Sequence, residues 1–498
     1  MSFFSTRGGS CVTASQAILR GLAPDGGLYV PAMFPLFPPE KIPGLARMSY
    51  PRRAQEILSL YLEDFSSAEI ARAVDAAYSP DRFDDPAVAP LRRLDDATWA
   101  LELFHGPTLA FKDMALQLLP HLVSLSARKN GESREVSILV ATSGDTGKAA
   151  LEGFRDVPGT SCTVFYPLDG VSDVQRLQMV TTGGKNTHVI AVRGNFDDAQ
   201  TGVKELFSSA DFAREMDSRH KVLSSANSIN FGRLVPQIVY YFSAYADLVA
   251  RHAVQNGNPV NFCVPTGNFG NILAAYYARE MGLPVGKLIC ASNRNKVLTD
   301  FFGSGLYSTH RLFFRTKSPS MDILVSSNLE RLLFEAADRD GALISTWMNL
   351  LKEKGSYSIG DQRQEWLASM FWGGCADDLE TLSEIGRRFL QDHYLMDTHT
   401  AVASAVLRQY RQQTADATPT VLVSTASPYK FSRDVLSAVS DPDAVRDLDA
   451  FACSEALEEI SGVPMPDQVR RLKDLPILHR AECEVAEMGG AVLREFDG

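Results

Sequence analysis

Val260-Asn261-Phe262-Cys263-Val264 runs into Pro265-Thr266-Gly267-Asn268-Phe269-Gly270-Asn271, and a helical pattern follows at once. A short apolar strand, a glycine-rich turn and a helix make one unit. The chain repeats that unit between about residues 91 and 300. Val136 to Ala141 leads through Thr142-Ser143-Gly144-Asp145-Thr146-Gly147 into a helix, and Cys162 to Tyr166 precedes one from about Ser172. Thr187 to Val192 is followed by a helix over Asp197 to Ser208, and Leu288 to Ala291 supplies a further strand. Short apolar strands alternating with helices predict an α/β fold with parallel sheets covered on both faces. Ligands in such sheets gather at the carboxyl ends of strands, where these loops sit.

Working outward, the sequence divides into three regions. Residues 1–90 read as a separate, mostly helical N-terminal region. It includes a turn-to-strand passage from Leu22 to Pro31, and capping-box spacing at Ser66-Ser67-Ala68-Glu69 ahead of a helix ending near Tyr78. The Pro/Asp-rich run from Ser79 to Pro90 is the expected linker. Residues 91–255 and 256–498 are expected to be two α/β domains. In the second, residues 320–415 read as helices without a strand, Thr420 to Val423 as a last strand, and the tail after Asp441 as acidic and helix-forming.

In the first α/β domain the stretch His105-Gly106-Pro107-Thr108-Leu109-Ala110-Phe111-Lys112-Asp113 follows a strand-like run from Thr98 to Phe104. Lys112 stands where a helical pattern begins (Met114, Leu118, Leu119, Leu122, Val123, Leu125), with Pro120 an expected kink. Flanked by Leu109 and Phe111, its ammonium can be partly desolvated. Desolvation lowers the pKa of an ammonium, and a neutral amine is what a Schiff base with an aldehyde requires. The alternative is a solvated surface charge.

Three loops bear on that choice. In Gly267 to Asn271, glycines let the backbone approach a ligand and helix-start amides favour a phosphate, although a tight connection needs glycine as well. Ser143-Gly144-Asp145-Thr146-Gly147-Lys148 is not a nucleotide-binding P-loop. Thr142 stands where that motif needs glycine, and Ala149 where it needs Ser or Thr. Thr425 follows the last strand, where a hydroxyl can partner a heterocyclic nitrogen without forcing its protonation, or simply serve a turn. One lysine for an aldehyde, one loop for a phosphate and one hydroxyl for a ring nitrogen together describe a pyridoxal 5'-phosphate site.

Composition narrows the class. The chain has 498 residues, of which 45% are hydrophobic and 22% charged, so it can bury a large core. A net charge of −11 argues against non-specific nucleic-acid binding but permits an anionic substrate in a locally positive pocket. Seven scattered cysteines with no C-x-x-C pair, and histidines without H-E-x-x-H or H-x-H spacing, indicate a reduced compartment and no metal site. No signal peptide or membrane-length apolar run is visible, so a cytoplasmic protein with no membrane partner is expected.

Taken together, Ser5-Thr6-Arg7-Gly8, Leu22 to Pro31, His105 to Asp113, Thr142 to Gly147, Asn227-Ser228-Ile229-Asn230, Gly267 to Asn271, Ser318 to Ile323 with Ser326-Ser327-Asn328, and Ser424 to Pro428 resemble the threonine synthase family of the longer bacterial and fungal type. The resemblance spans nearly the whole chain up to about residue 435. It implies a fold-type-II pyridoxal phosphate enzyme, similar to tryptophan synthase β, with parallel-rich sheets in two domains beside a helical N-terminal region. The implied reaction converts O-phospho-L-homoserine and water to L-threonine and phosphate, in a monomer or homodimer. Carried over by position, Lys112 is the Schiff-base lysine, Gly267, Asn268, Phe269, Gly270 and Asn271 the cofactor-phosphate loop, and Thr425 the ring-nitrogen partner. Ser143, Gly144, Asp145, Thr146 and Asn230 fall in the substrate-binding positions. Arg7, Lys148, Asn230 and Arg233 are candidates for the substrate phosphate by motif proximity only; a surface or structural role is the stronger reading for each, and the Ser143 and Thr146 hydroxyls with their loop amides are the better candidates. Ser427 and Tyr429 depart from the family pattern and are expected to alter the wall beside the ring. The rival readings are a related lyase (a serine/threonine dehydratase or an O-phosphothreonine phospholyase) and a cofactor-binding regulatory protein without turnover.

Overall fold

The computed structural model describes residues 1–142, 144–168, 171 and 173–497. Two parallel-rich sheets dominate it. The larger has six strands in the order Phe371–Cys375, Val285–Ser292, Val260–Pro265, Thr420–Ser424, Thr98–Glu102 and Leu91–Arg93. All its pairings are parallel except the last, which is antiparallel. The smaller sheet is parallel throughout, in the order Ala481–Glu484, Thr187–Arg193, Thr160–Pro167, Glu135–Ala141 and Lys221–Ser224.

Alternation along the strands explains why both sheets are buried on both faces. In Glu135–Ala141, Val136, Ile138 and Val140 enter the main core, while Leu139 points into a separate cluster with Phe165, Ile190, Phe212 and Val492. In the larger sheet Phe262 and Val264 join the main core, while Cys263 packs with Ala100, Leu422 and Val406. A strand apolar on both faces reads as the continuous hydrophobic run seen in the sequence. The helix Phe231–Ala250 is buried along almost its whole length, despite Pro236 in its interior. It packs against the helices Asp113–Leu116, Leu119–Lys129 and Gly270–Glu280, and so ties both sheets to one core. Among the described residues, no helix is long and apolar enough to cross a membrane.

The sheets cut across the expected borders. Leu91–Arg93 and Thr98–Glu102, assigned to the first α/β domain, are strands of the larger sheet, whose other strands all come from residues beyond 256. The C-terminal tail, expected to be helical, returns Ala481–Glu484 to the edge of the smaller sheet beside Thr187–Arg193. The N-terminal region is not separate either. Its helices share the main core with Phe231–Ala250, and it holds an antiparallel sheet of Val12–Thr13, Ser2–Ser5 and Tyr29–Pro31. The expected capping box is present, with Ser66 Oγ accepting from the Glu69 amide and the Glu69 carboxylate from the Ser66 amide.

Two further expectations fail for identifiable reasons. Residues 320–415 were expected to lack strands, yet Phe371–Cys375 forms the outer edge of the larger sheet and Ser356–Ser358 pairs with Leu306–Ser308. Phe-Trp-Gly-Gly-Cys has one strong apolar pair and two glycines, too little alternation to read as a strand. Pro120 does not kink a helix. It occupies the first turn of Leu119–Lys129, where its missing N–H costs nothing, and the preceding helix ends at Leu116.

Candidate active site

Parallel register brings the candidate loops to one edge. Ser424 pairs with Glu102, and Leu422 lies opposite Cys263, so all three strands finish on the same side of the larger sheet. The loops that leave them carry Lys112, Thr425 and Gly267. Leu109, at φ 59°, turns the chain back so that Ala110 bridges Ala426, with the Phe111 amide donating to the Thr425 carbonyl at 2.8 Å. The Ser427 amide donates to the Leu109 carbonyl at 3.0 Å. Asp113 braces the turn from below by accepting from the Thr108 amide (2.8 Å) and hydroxyl (2.7 Å), and burial pushes its carboxyl up to about 6.

Lys112 is 9% exposed. Its Nζ donates to Asp145 Oδ2 and Ser320 Oγ, each at 3.2 Å. Burial lowers its pKa, helped by Lys430 and Arg233 and opposed by Asp145. The opposite oxygen of Asp145 meets Lys430 Nζ at 3.0 Å, and Lys430 also donates to the Thr108 carbonyl at 2.9 Å. Burial works against the Asp145 charge, but the two lysines hold that carboxyl well below the usual range.

The glycine loop is an anion cradle. Phe269, at φ 67°, is the N-cap of the helix Gly270–Glu280 and buries its ring against Phe302 and Phe371. Among the described residues the amides of Gly267 through Ile272 donate to nothing. The Asn271 Nδ2 is buried without a partner, while its Oδ1 accepts from Tyr240 and Tyr241 at 2.6 Å each. The loop's outward carbonyls are fixed by Ser326 Oγ on Gly267 (2.7 Å) and Asn328 Nδ2 on Asn268 (2.9 Å). A Cβ on Gly267 would stand 2.5 Å from the Ser320 carbonyl oxygen, so this loop meets the Lys112 neighbourhood through Ser320. A row of unused amides at a helix start, with an orphaned amide nitrogen beside it, fits a phosphate group. Lys112 fits an aldehyde, and the buried Thr425, bridged to the lysine segment, fits the far side of a ring. The residues present therefore fit pyridoxal phosphate.

The remaining candidates divide. Ser143 lies outside the described residues. Gly144, at φ 142°, caps the helix Asp145–Phe154, and the Thr142 hydroxyl accepts from the Gly144 and Gly147 amides at 3.0 Å each. The Asp145 and Thr146 amides have no acceptor among the described residues, so this helix start is a second anion-facing edge beside Lys112.

Asn230 was expected at the substrate. It is a corrected assignment, because its side chain is fully used by the backbone. It donates to the Ile18 and Ser225 carbonyls at 3.0 and 2.9 Å and accepts from the Gly232 amide at 2.8 Å, capping the long helix. Arg7 forms a fork with Glu330, and Lys148 pairs with Glu152 at 2.6 Å, so both serve structure. Arg233 differs. Its guanidinium is buried, donates to the Ala226 carbonyl at 2.9 Å and has no carboxylate partner among the described residues. Burial lowers its pKa to about 10. Tyr429 was expected to alter the wall beside the ring, but its hydroxyl turns to the Val463 carbonyl and its ring packs in the C-terminal cluster.

Sequence reading missed Ser320, Lys430, His399 and Asp397. Ser320 lies inside Ser318-Pro319-Ser320-Met321-Asp322, a stretch noted for resemblance and not for chemistry. Lys430 follows the Thr425 loop by one turn. Asp397-Thr398-His399-Thr400 carried an N-cap signal for the helix Thr398–Thr414 that could have drawn attention to it.

Comparison with known proteins agrees with this geometry. The family model "Threonine synthase N terminus" matches residues 2–78, "Pyridoxal-phosphate dependent enzyme" matches 85–346, and "Threonine synthase, C-terminal" matches 400–476. Threonine synthase of Pseudomonas aeruginosa is 41% identical over 440 residues, covering 88% of this chain and 90% of its own. Human threonine synthase-like 1 is 41% identical over 435 residues and 85% of this chain, but the match spans only 58% of that longer protein. The crystal structure of a PLP-bound threonine synthase from Brucella melitensis superposes with a TM-score of 0.88 at 36% identity, covering all of both chains. The yeast enzyme gives 0.88 at 31%, covering 100% of this chain and 99% of its own. The fold-type-II architecture is therefore present, and the chain belongs to the threonine synthase family of pyridoxal-phosphate-dependent enzymes.

Proposed function

We propose that the protein binds pyridoxal phosphate at Lys112 and converts O-phospho-L-homoserine and water to L-threonine and phosphate. The observation that carries this reading is a buried lysine amine placed beside two unused anion cradles, one at Gly267–Ile272 and one at Asp145–Thr146. The first cradle would hold the cofactor phosphate, and Thr425 would face the ring nitrogen. When bound, the cofactor supplies an electron sink for charge developing on the substrate carbons.

This chain's own part is positioning and proton transfer. Burial favours the neutral amine of Lys112, so Nζ can accept a proton from the carbon beside the substrate amine. Asp145 opposes that tendency through its charge and its hydrogen bond to Nζ. Lys430 and Arg233 add two buried positive charges near Lys112, offsetting a substrate phosphate that carries nearly two negative charges. The Asp145 and Thr146 amides can orient a carboxylate or phosphate without adding charge.

The test is a product assay on cofactor-loaded protein given O-phospho-L-homoserine, with O-phosphothreonine and serine in parallel. Equal amounts of threonine and phosphate from phosphohomoserine, lost in Lys112→Ala, are expected. Oxobutyrate from phosphothreonine, or a keto acid from serine, without threonine from phosphohomoserine would replace this reading with a related lyase. No turnover of any substrate despite bound cofactor would favour a regulatory protein.

A further inference from the structure

Outside the groups already assigned, one buried ionisable pair is wired to the site. Asp397 is fully buried and His399 is 3% exposed. His399 Nδ1 lies 3.1 Å from Asp397 Oδ1, and its Nε2 accepts from the Ser320 amide at 3.1 Å. An amide can only donate, so Nε2 must present a lone pair and the proton must sit on Nδ1, facing Asp397. The carboxylate thereby fixes both the tautomer and the ring plane. Ser320 in turn receives Lys112 Nζ on its hydroxyl at 3.2 Å. A continuous chain runs from Asp397 through His399 and Ser320 to the reactive amine.

The same carboxylate reaches the other side of the site. Asp397 accepts from the Thr400 hydroxyl, whose oxygen accepts from the Thr425 amide at 3.3 Å and lies 3.1 Å from Ser424 Oγ. Ser320 sits in a short turn closed by the Met321 and Asp322 amides, which donate to the Ser318 and Pro319 carbonyls at 3.0 and 3.1 Å. Its turn is pinned on the far side by Asp322, which accepts from Asn293 (2.8 Å), Asn295 (2.9 Å) and the Thr316 hydroxyl (2.8 Å), but the Ser320 amide itself is held by His399.

We infer that Asp397 and His399 are positioning residues that hold Ser320 against Lys112, and so set the orientation and proton affinity of the amine. The inference rests on the pyridoxal phosphate reading above. Charged groups facing Lys112 are Asp145, Lys430 and Arg233, and those facing His399 are Asp397, Asp145 and Asp322. Ser320→Ala leaves all these groups and His399 in place, so a change it causes in Lys112 reports the loss of the Ser320 hydroxyl.

The experiment is a pH titration of the visible band of lysine-bound pyridoxal phosphate in wild type, His399→Leu, His399→Gln and Ser320→Ala, alongside kcat and KM. Leucine removes the acceptor. Glutamine can present an oxygen to the Ser320 amide. His399→Leu and Ser320→Ala are expected to move the midpoint by about one pH unit in the same direction. Both should lower kcat about tenfold or more while KM changes far less. His399→Gln should restore most of the midpoint. Equal defects in the leucine and glutamine variants, or an unmoved midpoint in Ser320→Ala, would overturn the inference. Ser320→Ala decides alone if His399→Leu does not fold. A wild type that takes up no pyridoxal phosphate would instead overturn the site reading itself.

Discussion

Asp145 Oδ1 lies 3.0 Å from Lys430 Nζ, while the second oxygen of the same carboxylate holds Lys112 at 3.2 Å. One buried carboxylate thus serves two buried lysines, and its removal leaves both without their shared partner. Asp145→Asn is expected to lower unfolding free energy by about 3 kcal/mol, the cost of stranding a buried charge. Urea denaturation at neutral pH would show it, and an unchanged midpoint would mean that the cations are better solvated than their burial indicates.

On the proposed reading, Lys112→Ala removes the covalent anchor for the cofactor and the group that moves the first proton. Turnover should fall by at least about a thousandfold, as expected when a covalent nucleophile is deleted. The visible band of lysine-bound cofactor should vanish. Retention of that band after dialysis would place the linkage elsewhere.

Gly267→Ala places a methyl 2.5 Å from the Ser320 carbonyl oxygen, a backbone atom that cannot rotate away. Overpacking of this kind costs about 1–3 kcal/mol. The loop must shift, so cofactor affinity should weaken by about ten- to a hundredfold, which equilibrium dialysis against pyridoxal phosphate would measure.

His105 lies between Asp84 (2.7 Å) and Glu102 (3.0 Å). Burial disfavours its charge, but bonds to the two carboxylates prevail and push its pKa up to about 9. A folded-state pKa raised above the unfolded value near 6.5 gives stability that is complete below about pH 6.5 and lost as pH rises through about 9. The contribution should be about 1–2 kcal/mol. Urea midpoints between pH 6 and 9.5 should fall more steeply in wild type than in His105→Gln, and parallel curves would exclude this pair as the cause.

Asn230→Ala should cost about 1–3 kcal/mol, since it removes an N-cap and leaves two buried carbonyls unpaired. Because the side chain has no donor to offer a ligand, KM of the folded variant should change less than about twofold. A large KM rise with unaltered stability would return Asn230 to the substrate site.

The repeated strand–loop–helix units were legible because strands buried on both faces leave unbroken apolar runs such as Val260 to Val264. The placement of Lys112 and of Gly267 to Asn271 was legible because each lies in a loop that leaves such a run and opens a helix. Phe371–Cys375 was hidden by its glycines, and Ala481–Glu484 by its charged edge position. Ser320, Lys430 and His399 were not legible singly, because each acts through a contact made across a long sequence gap. Asn230 misled because a polar residue in a shared motif can be there for the backbone alone.

The larger sheet has an order of assembly built into it. Thr420–Ser424 lies between Thr98–Glu102 and Val260–Pro265, yet it is synthesised after both. Until it emerges from the ribosome, the two earlier strands have no partner on their facing edges, and Lys112 and the Gly267 loop belong to separate pieces of sheet. The nascent chain therefore exposes both sticky edges from the synthesis of Pro265 until that of Thr420. The proposed cofactor pocket closes in one late event, when the strand that leads to Thr425 slots between them.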